Sequence, residues 1–180
     1  MEVNRRAPLV VRKEIEIFAP PEMIWEWLSR VDLWQDWHPE ISSSRWLAGR
    51  GVHGTFKWRL RKVLGVTCQM ESWNELSELG WVAQVWSSTL RQVFRISGDF
   101  RRTRIVAEAS IEGPGYGFAP LRSAVQTQLE RTSELWLAAL KTKLESEKVR
   151  TSIGSTAASG LPKRRGRGSA APPSKRPRIR

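Results

Sequence analysis

The chain has 180 residues, ten tryptophans, one cysteine and a formal net charge of +12. That length suits one domain. A lone Cys68 excludes an intrachain disulfide and a cysteine-based metal cage, and no run of about eighteen apolar residues is present to span a membrane. His38 and His53 are too few for a histidine metal site without carboxylate help, so neither a metal nor a cofactor is expected. Arg12, Lys13, Glu14 and Glu16 interrupt any signal-peptide core at the N-terminus, and a soluble, cytoplasmic protein is expected.

The charge is unevenly placed. Nine of the 30 Lys and Arg residues fall between Val149 and Arg180, where no acid occurs; the remainder holds 21 bases against 18 acids. Residues 1–148 are therefore read as the folded domain. Residues 149–180, rich in Gly, Ser, Ala, Pro, Lys and Arg, are read as a disordered basic tail, because they lack the apolar content to fold.

Leu9 to Phe18 alternates, with Val11, Ile15 and Ile17 opposite Arg12, Glu14 and Glu16, and predicts a first strand. Ala19-Pro20-Pro21 ends it, and Pro21 suits the first turn of a helix. Glu22 to Val31 follows, with Met23, Trp27, Leu28 and Val31 on one face. Asp32 is a candidate N-cap for a short helix, Leu33 to Trp37, and His38-Pro39 ends that helix. From Ile41 to Glu112 the period changes to two. Strands are expected at Ile41–Ala48, Thr55–Val63, Val66–Trp73, Gly80–Ser88, Leu90–Ser97 and Thr103–Ile111. One polar and one apolar face recur, as in an antiparallel meander with one wet side. Gly113-Pro114-Gly115-Tyr116-Gly117 leads into a helix from Ala119 to Lys148. Its stripe is Leu121, Val125, Leu129, Thr132, Trp136, Leu140 and Leu144. Strands and helices do not alternate, so the class is α+β, a curved sheet gripping one long helix.

Four segments carry a family resemblance. Ile15 to Leu28 gives an alternating strand, Ala19-Pro20, then a helix with Ile24-Trp25; Asp32-Leu33-Trp34-Gln35-Asp36-Trp37-His38-Pro39 gives an aspartate–Trp–x–x–Trp–x–Pro segment. Gly49 to Phe56 gives a strand–Gly–strand turn, and Leu135 to Lys141 a helix ending. Over about Leu9 to Lys148 the chain resembles the START-like (SRPBCC) superfamily, and within it the polyketide cyclase/dehydrase and lipid-transport family. The resemblance implies a helix-grip fold: seven antiparallel strands curved around a C-terminal helix, two short helices after the first strand, and an elongated apolar cavity between sheet and helix. It also implies a hydrophobic small-molecule partner, a lipid or a polyketide-like molecule. The rival expectation is a cyclase, aromatase or dehydratase that orients its substrate with polar pocket residues.

In that frame Phe56, Trp58, Met70, Trp81 and Val85 point toward the cavity, with Phe94, Ile105 and Ala107. Leu121, Val125 and Leu129 close it from the helix. The same residues would equally pack a solid core. Small Ala83, Ala107 and Ala109 favour space. Gln92, among Leu90, Phe94 and Ile96, either orients a ligand carbonyl or hydroxyl or is a strand-edge side chain satisfied by backbone. His38 and His53 are either polar groups at a pocket mouth or solvated loop histidines. Lys13 either meets an anionic group or snorkels to the sheet edge.

The sequence holds no GxSxG, no HExxH and no paired inward carboxylates, so no catalytic constellation is assigned. Gly113 to Gly117 lacks the Lys-Ser/Thr ending of a phosphate loop and is read as a hinge. Cys68 is read as a buried, inert thiol. In the tail, Lys163-Arg164-Arg165-Gly166-Arg167 and Lys175-Arg176-Pro177-Arg178 form two basic clusters. Non-specific contact with nucleic acid or an anionic membrane is one expectation there; a solubilising segment without a partner is the other.

Overall fold

The computed structural model describes residues 1–60, 65–114, 116 and 119–158, with residues 148–158 as backbone alone. The first strand, β1 (Leu9–Ile17), leads into α1 (Pro21–Ser29), where Pro21 occupies the first turn as expected. A single 3₁₀ turn (Val31–Leu33) and the short α2 (Trp34–Trp37) follow. Six strands come next: β2 (Ile41–Ala48), β3 (Thr55–Leu60), β4 (Val66–Asn74), β5 (Glu78–Val85), β6 (Ser88–Gly98) and β7 (Thr103–Glu112). The last element, α3 (Ala119–Ala158), has 40 residues and is about 60 Å long.

All seven strands are antiparallel neighbours in the order β1-β7-β6-β5-β4-β3-β2. The long excursion through α1 and α2 carries the chain from β1 at one edge to β2 at the other. The sheet curves around α3, the helix-grip arrangement. Alternation sets the register: Ile15 faces Ile105, Phe94 faces Ala107 and Trp81 faces Gln92 across their pairs. The concave face and α3 bury the main core, in which Ile17, Phe56, Met70, Leu79, Phe94, Ile105 and Leu140 are all at most 1% exposed.

Several details depart from the sequence expectations. The face α1 buries is Ile24, Trp25 and Leu28. Met23 and Trp27 are only half-buried, and the Trp27 indole lies at an edge, donating to Glu147 Oε2 at 2.8 Å beneath the Lys143 ammonium. Asp32 caps nothing: it lies inside the 3₁₀ turn, and Leu33 precedes α2 without a side-chain cap. The expected end of β3 at Val63 lies outside the described residues, as do Gly115 and Gly117 of the hinge segment. The last helix continues ten residues beyond Lys148 and passes through Gly154, since a glycine costs a helix only about 1 kcal/mol relative to alanine. Residues 159–180, with both basic clusters, lie outside the described residues.

The outer face of the sheet is not wholly wet. Residues 1–4 lie across it: Val3 is buried, the Met1 ammonium donates to Glu78 Oε1 at 2.6 Å, and the Asn4 N–H donates to Ser110 Oγ at 3.3 Å. Beneath them Arg95 bridges Glu78 and Glu108 and donates to the Met1 carbonyl. Burial alone would raise the Glu78 carboxyl, but hydrogen bonds from the Met1 ammonium and Ser72, with the Arg95 charge, hold it below its usual range. This strap covers Val93, fully buried on the face that alternation assigns to water.

Candidate ligand-binding site

Packing on the concave face centres on Trp136 of α3. Its ring centroid lies 4.9 Å from Trp34, 5.4 Å from Trp37 and 4.5 Å from His38. On the sheet side it lies 5.9 Å from Trp81, 5.7 Å from Phe94 and 6.2 Å from Trp58. Trp34 sits beside it, fully buried, edge-on to Phe56 at 5.4 Å and tilted over Trp81 at 5.1 Å. Its indole N–H donates to the Leu28 carbonyl at 2.9 Å, which fixes α1 against α2. Two indoles, from α2 and α3, thus stand in the space where an elongated cavity is expected.

The predicted lining residues separate into groups. Phe56, Trp58, Met70, Trp81, Phe94, Ile105 and Ala107 are buried in the main cluster, and Val85 packs half-buried against it. Leu129 belongs to a second, smaller cluster with Leu9, Val11 and Ala109, joined by half-buried Val125. Leu121 joins neither; it is 46% exposed and closes nothing. The start of α3 stands off the sheet: residues 119–124 are all exposed, and the first buried side chain is Leu129.

Gln92 stands where the two clusters meet. It is opposite Trp81 on β5 and opposite Ala109 on β7. It is 7% exposed, and its Nε2 has no hydrogen-bond partner among the described residues, so the backbone does not satisfy this amide. Ser133 lies one turn of α3 beyond Leu129 and one before Trp136 and Leu137; it is buried and its hydroxyl is likewise unpartnered among the described residues. Buried polar groups without partners are costly and uncommon in folded proteins. Here Trp37 Nε1, His38 Nε2 and Trp81 Nε1 add to the set, all on side chains that ring Trp136.

His38 is neither solvated nor at a mouth. It is 1% exposed, and burial pulls its pKa down to about 4, so the ring is neutral at physiological pH. The Glu40 N–H donates to Nδ1 at 3.3 Å, which leaves the ring proton on Nε2. The unpartnered atoms on Trp37, His38, Trp81 and Gln92 are therefore all N–H donors. His53, by contrast, lies exposed in the β2–β3 turn. Lys13 reaches out to Glu134 Oε1 at 2.7 Å and ties β1 to α3, the snorkelling arrangement. Cys68 is buried and accepts from Trp58 Nε1 at 3.1 Å; burial pushes its thiol up to about 12, which removes it as a nucleophile.

Sequence reasoning missed Trp34 and His38 as interior groups, because a four-residue helix and the loop after it have no period from which to read a face. Ser133 was hidden by the stripe, which points to Thr132. Among the described residues no group of His, Cys, Asp or Glu is placed to hold a metal ion, and no helix is long and apolar enough to cross a membrane.

The family model described as polyketide cyclase / dehydrase and lipid transport matches residues 8–145. Among solved structures, the fold is similar to the Zhui aromatase/cyclase from Streptomyces sp. R1128, with a TM-score of 0.67 at 16% identity over 76% of this chain and 93% of that one. It is also similar to a START superfamily protein from Mycobacterium smegmatis, with a TM-score of 0.65 at 20% identity over 76% and 97% of the two chains. A protein from Thermus thermophilus superposes with a TM-score of 0.64 at 20% identity, over 77% and 98%. Comparison with curated proteins finds no match.

Proposed function

Because the chain belongs to the polyketide cyclase / dehydrase and lipid transport family, we propose that it binds an apolar small molecule bearing carbonyl or ether oxygens, between the sheet and α3. The observation that carries this reading is the set of unpartnered N–H donors of Trp37, His38, Trp81 and Gln92, which are buried side chains in an apolar surround. A ligand that supplies acceptors offsets their desolvation, and the aromatic rings supply its apolar contact. Entry is from the end where α3 begins. There residues 119–124 of the helix are all exposed, and the first buried residues on that side are the smaller cluster of Leu9, Val11, Ala109 and Leu129, of which Ala109 is the β7 neighbour of Gln92. The ligand displaces the Trp136 ring from its place among the other indoles.

Binding is favoured over catalysis by what surrounds His38. It titrates near 4 and has no carboxylate partner among the described residues, so it is a weak base at neutral pH. The test is a titration of the full chain with a hydroxyanthraquinone, oleic acid and cholesterol, read by tryptophan emission. The anthraquinone, with two carbonyls, is expected to quench emission saturably and to bind tightest of the three. Absence of a saturable response to all three contradicts the reading; turnover of a polyketide chain would move the protein to the enzyme class.

A further inference from the structure

At the entry end, the segment leading into β1 and the first turns of α3 enclose a cleft of about 470 Å³. Arg5, Pro8 and Val10 line it on one side, and Arg122, Ser123 and Gln126 on the other. No acid is among the described residues that line it. Arg5 and Arg122 are both exposed, and neither has a carboxylate partner among the described residues. The outer face of the sheet shows the opposite pattern: Arg12, Arg91, Arg95 and Arg104 each reach a glutamate.

The surround of the cleft is ordered. Gln126 Nε2 donates to the Val10 carbonyl at 3.3 Å and to Glu130 Oε1 at 2.8 Å, which ties α3 to β1 and occupies the acid one turn beyond. Two guanidinium groups on one cleft repel, and an anion between them removes that repulsion. A carboxylate also matches the fork of an arginine with two parallel hydrogen bonds. The cleft lies close to the interior donors. Gln92 is opposite Ala109 on β7, and Ala109 is opposite Val11 on β1. Two strand spacings are about 10 Å, so a three-ring ligand beside Gln92 reaches β1 next to Val10. Leu9 and Val11, on either side of Val10, belong to the smaller apolar cluster.

We propose that the ligand of the interior site is an acid, with its carboxylate held by Arg5 and Arg122 and its apolar, carbonyl-bearing body between the sheet and α3. This rests on the interior reading and adds the charged end of the molecule. Inorganic phosphate would meet the two guanidinium groups but leave the apolar cluster beside them uncovered.

The test is a titration of the full chain with an anthraquinone carboxylic acid and with its carboxamide, read by tryptophan emission. The acid is expected to bind about tenfold tighter than the amide, and the difference shrinks with added salt. Arg122→Gln and Arg5→Gln, at exposed positions outside the core, are each expected to bring the two affinities closer together, and the double variant to make them equal. Arg131→Gln, which removes the same charge from α3 outside the cleft, is expected to keep the preference for the acid. Equal binding of acid and amide to the wild type overturns this inference and leaves the interior reading standing. So does a preference that survives the double variant, or one that Arg131→Gln removes as fully. Binding of neither compound overturns both.

Discussion

Trp34→Ala is expected to destabilise the fold by about 3–5 kcal/mol, the upper end of what truncating a buried side chain costs. The residue is fully buried, and its ring touches Phe56, Trp81 and Trp136, so it joins α2, two strands and α3 in one packing unit. Truncation removes that contact area and leaves a large void. It also strips the Leu28 carbonyl of its donor, so the join between α1 and α2 loosens at the same time. The loss is read as a shift of the urea midpoint at unchanged slope. A loss below about 1 kcal/mol would mean that neighbouring rings collapse freely into the space, and the indole cluster would then be a plastic filling rather than the centre of the core.

The second large effect is a pH dependence carried by His38. Its pKa is about 4 in the folded protein, against 6.5 for an ordinary histidine, because burial between Trp37 and Trp136 penalises the charged ring. Since the folded pKa is depressed, the unfolded chain takes up a proton that the native state refuses once the pH falls below about 6.5. His38 therefore contributes no pH dependence above that point, and stability declines between about pH 6.5 and pH 4. The full span corresponds to about 3 kcal/mol. Denaturation series on the wild type and His38→Leu should diverge across this window, the variant showing the flatter curve. Parallel curves would mean that the imidazole gains solvent or an acid partner before the protein unfolds.

The architecture was legible because alternation is a strong signal where one side of a strand is buried. Ile41–Ala48 matches to the residue, and the other strand ends shift by three residues or fewer where they are described, the largest being β5, which stops at Val85 and not at Ser88. The outer face was harder. Val93 alternates with polar neighbours like any solvent-facing position, yet it is fully buried, with the distant Met1 side chain beside it over Gly80. The site was half legible. Gln92 stands out as a polar residue in an inward row. His38 does not, since nothing local distinguishes a loop histidine in water from one sealed under Trp136. Leu121 failed for a related reason: a helical stripe names the face that can pack, and the first turns of α3 bury no side chain before Leu129.

The measurement that bears most directly on the interior site is the pair of stability and affinity for Gln92→Leu. An unpartnered buried amide costs free energy in the ligand-free protein, so its replacement by an apolar side chain of similar volume should leave stability unchanged or raise it, by up to about 1 kcal/mol. The same change removes a donor from the ligand, and binding of the hydroxyanthraquinone should weaken by about 5- to 30-fold. Higher stability together with lower affinity is the result expected if Gln92 serves a ligand. A variant that loses stability and binds the probe as the wild type does would contradict it, and Gln92 would then be part of the packing alone.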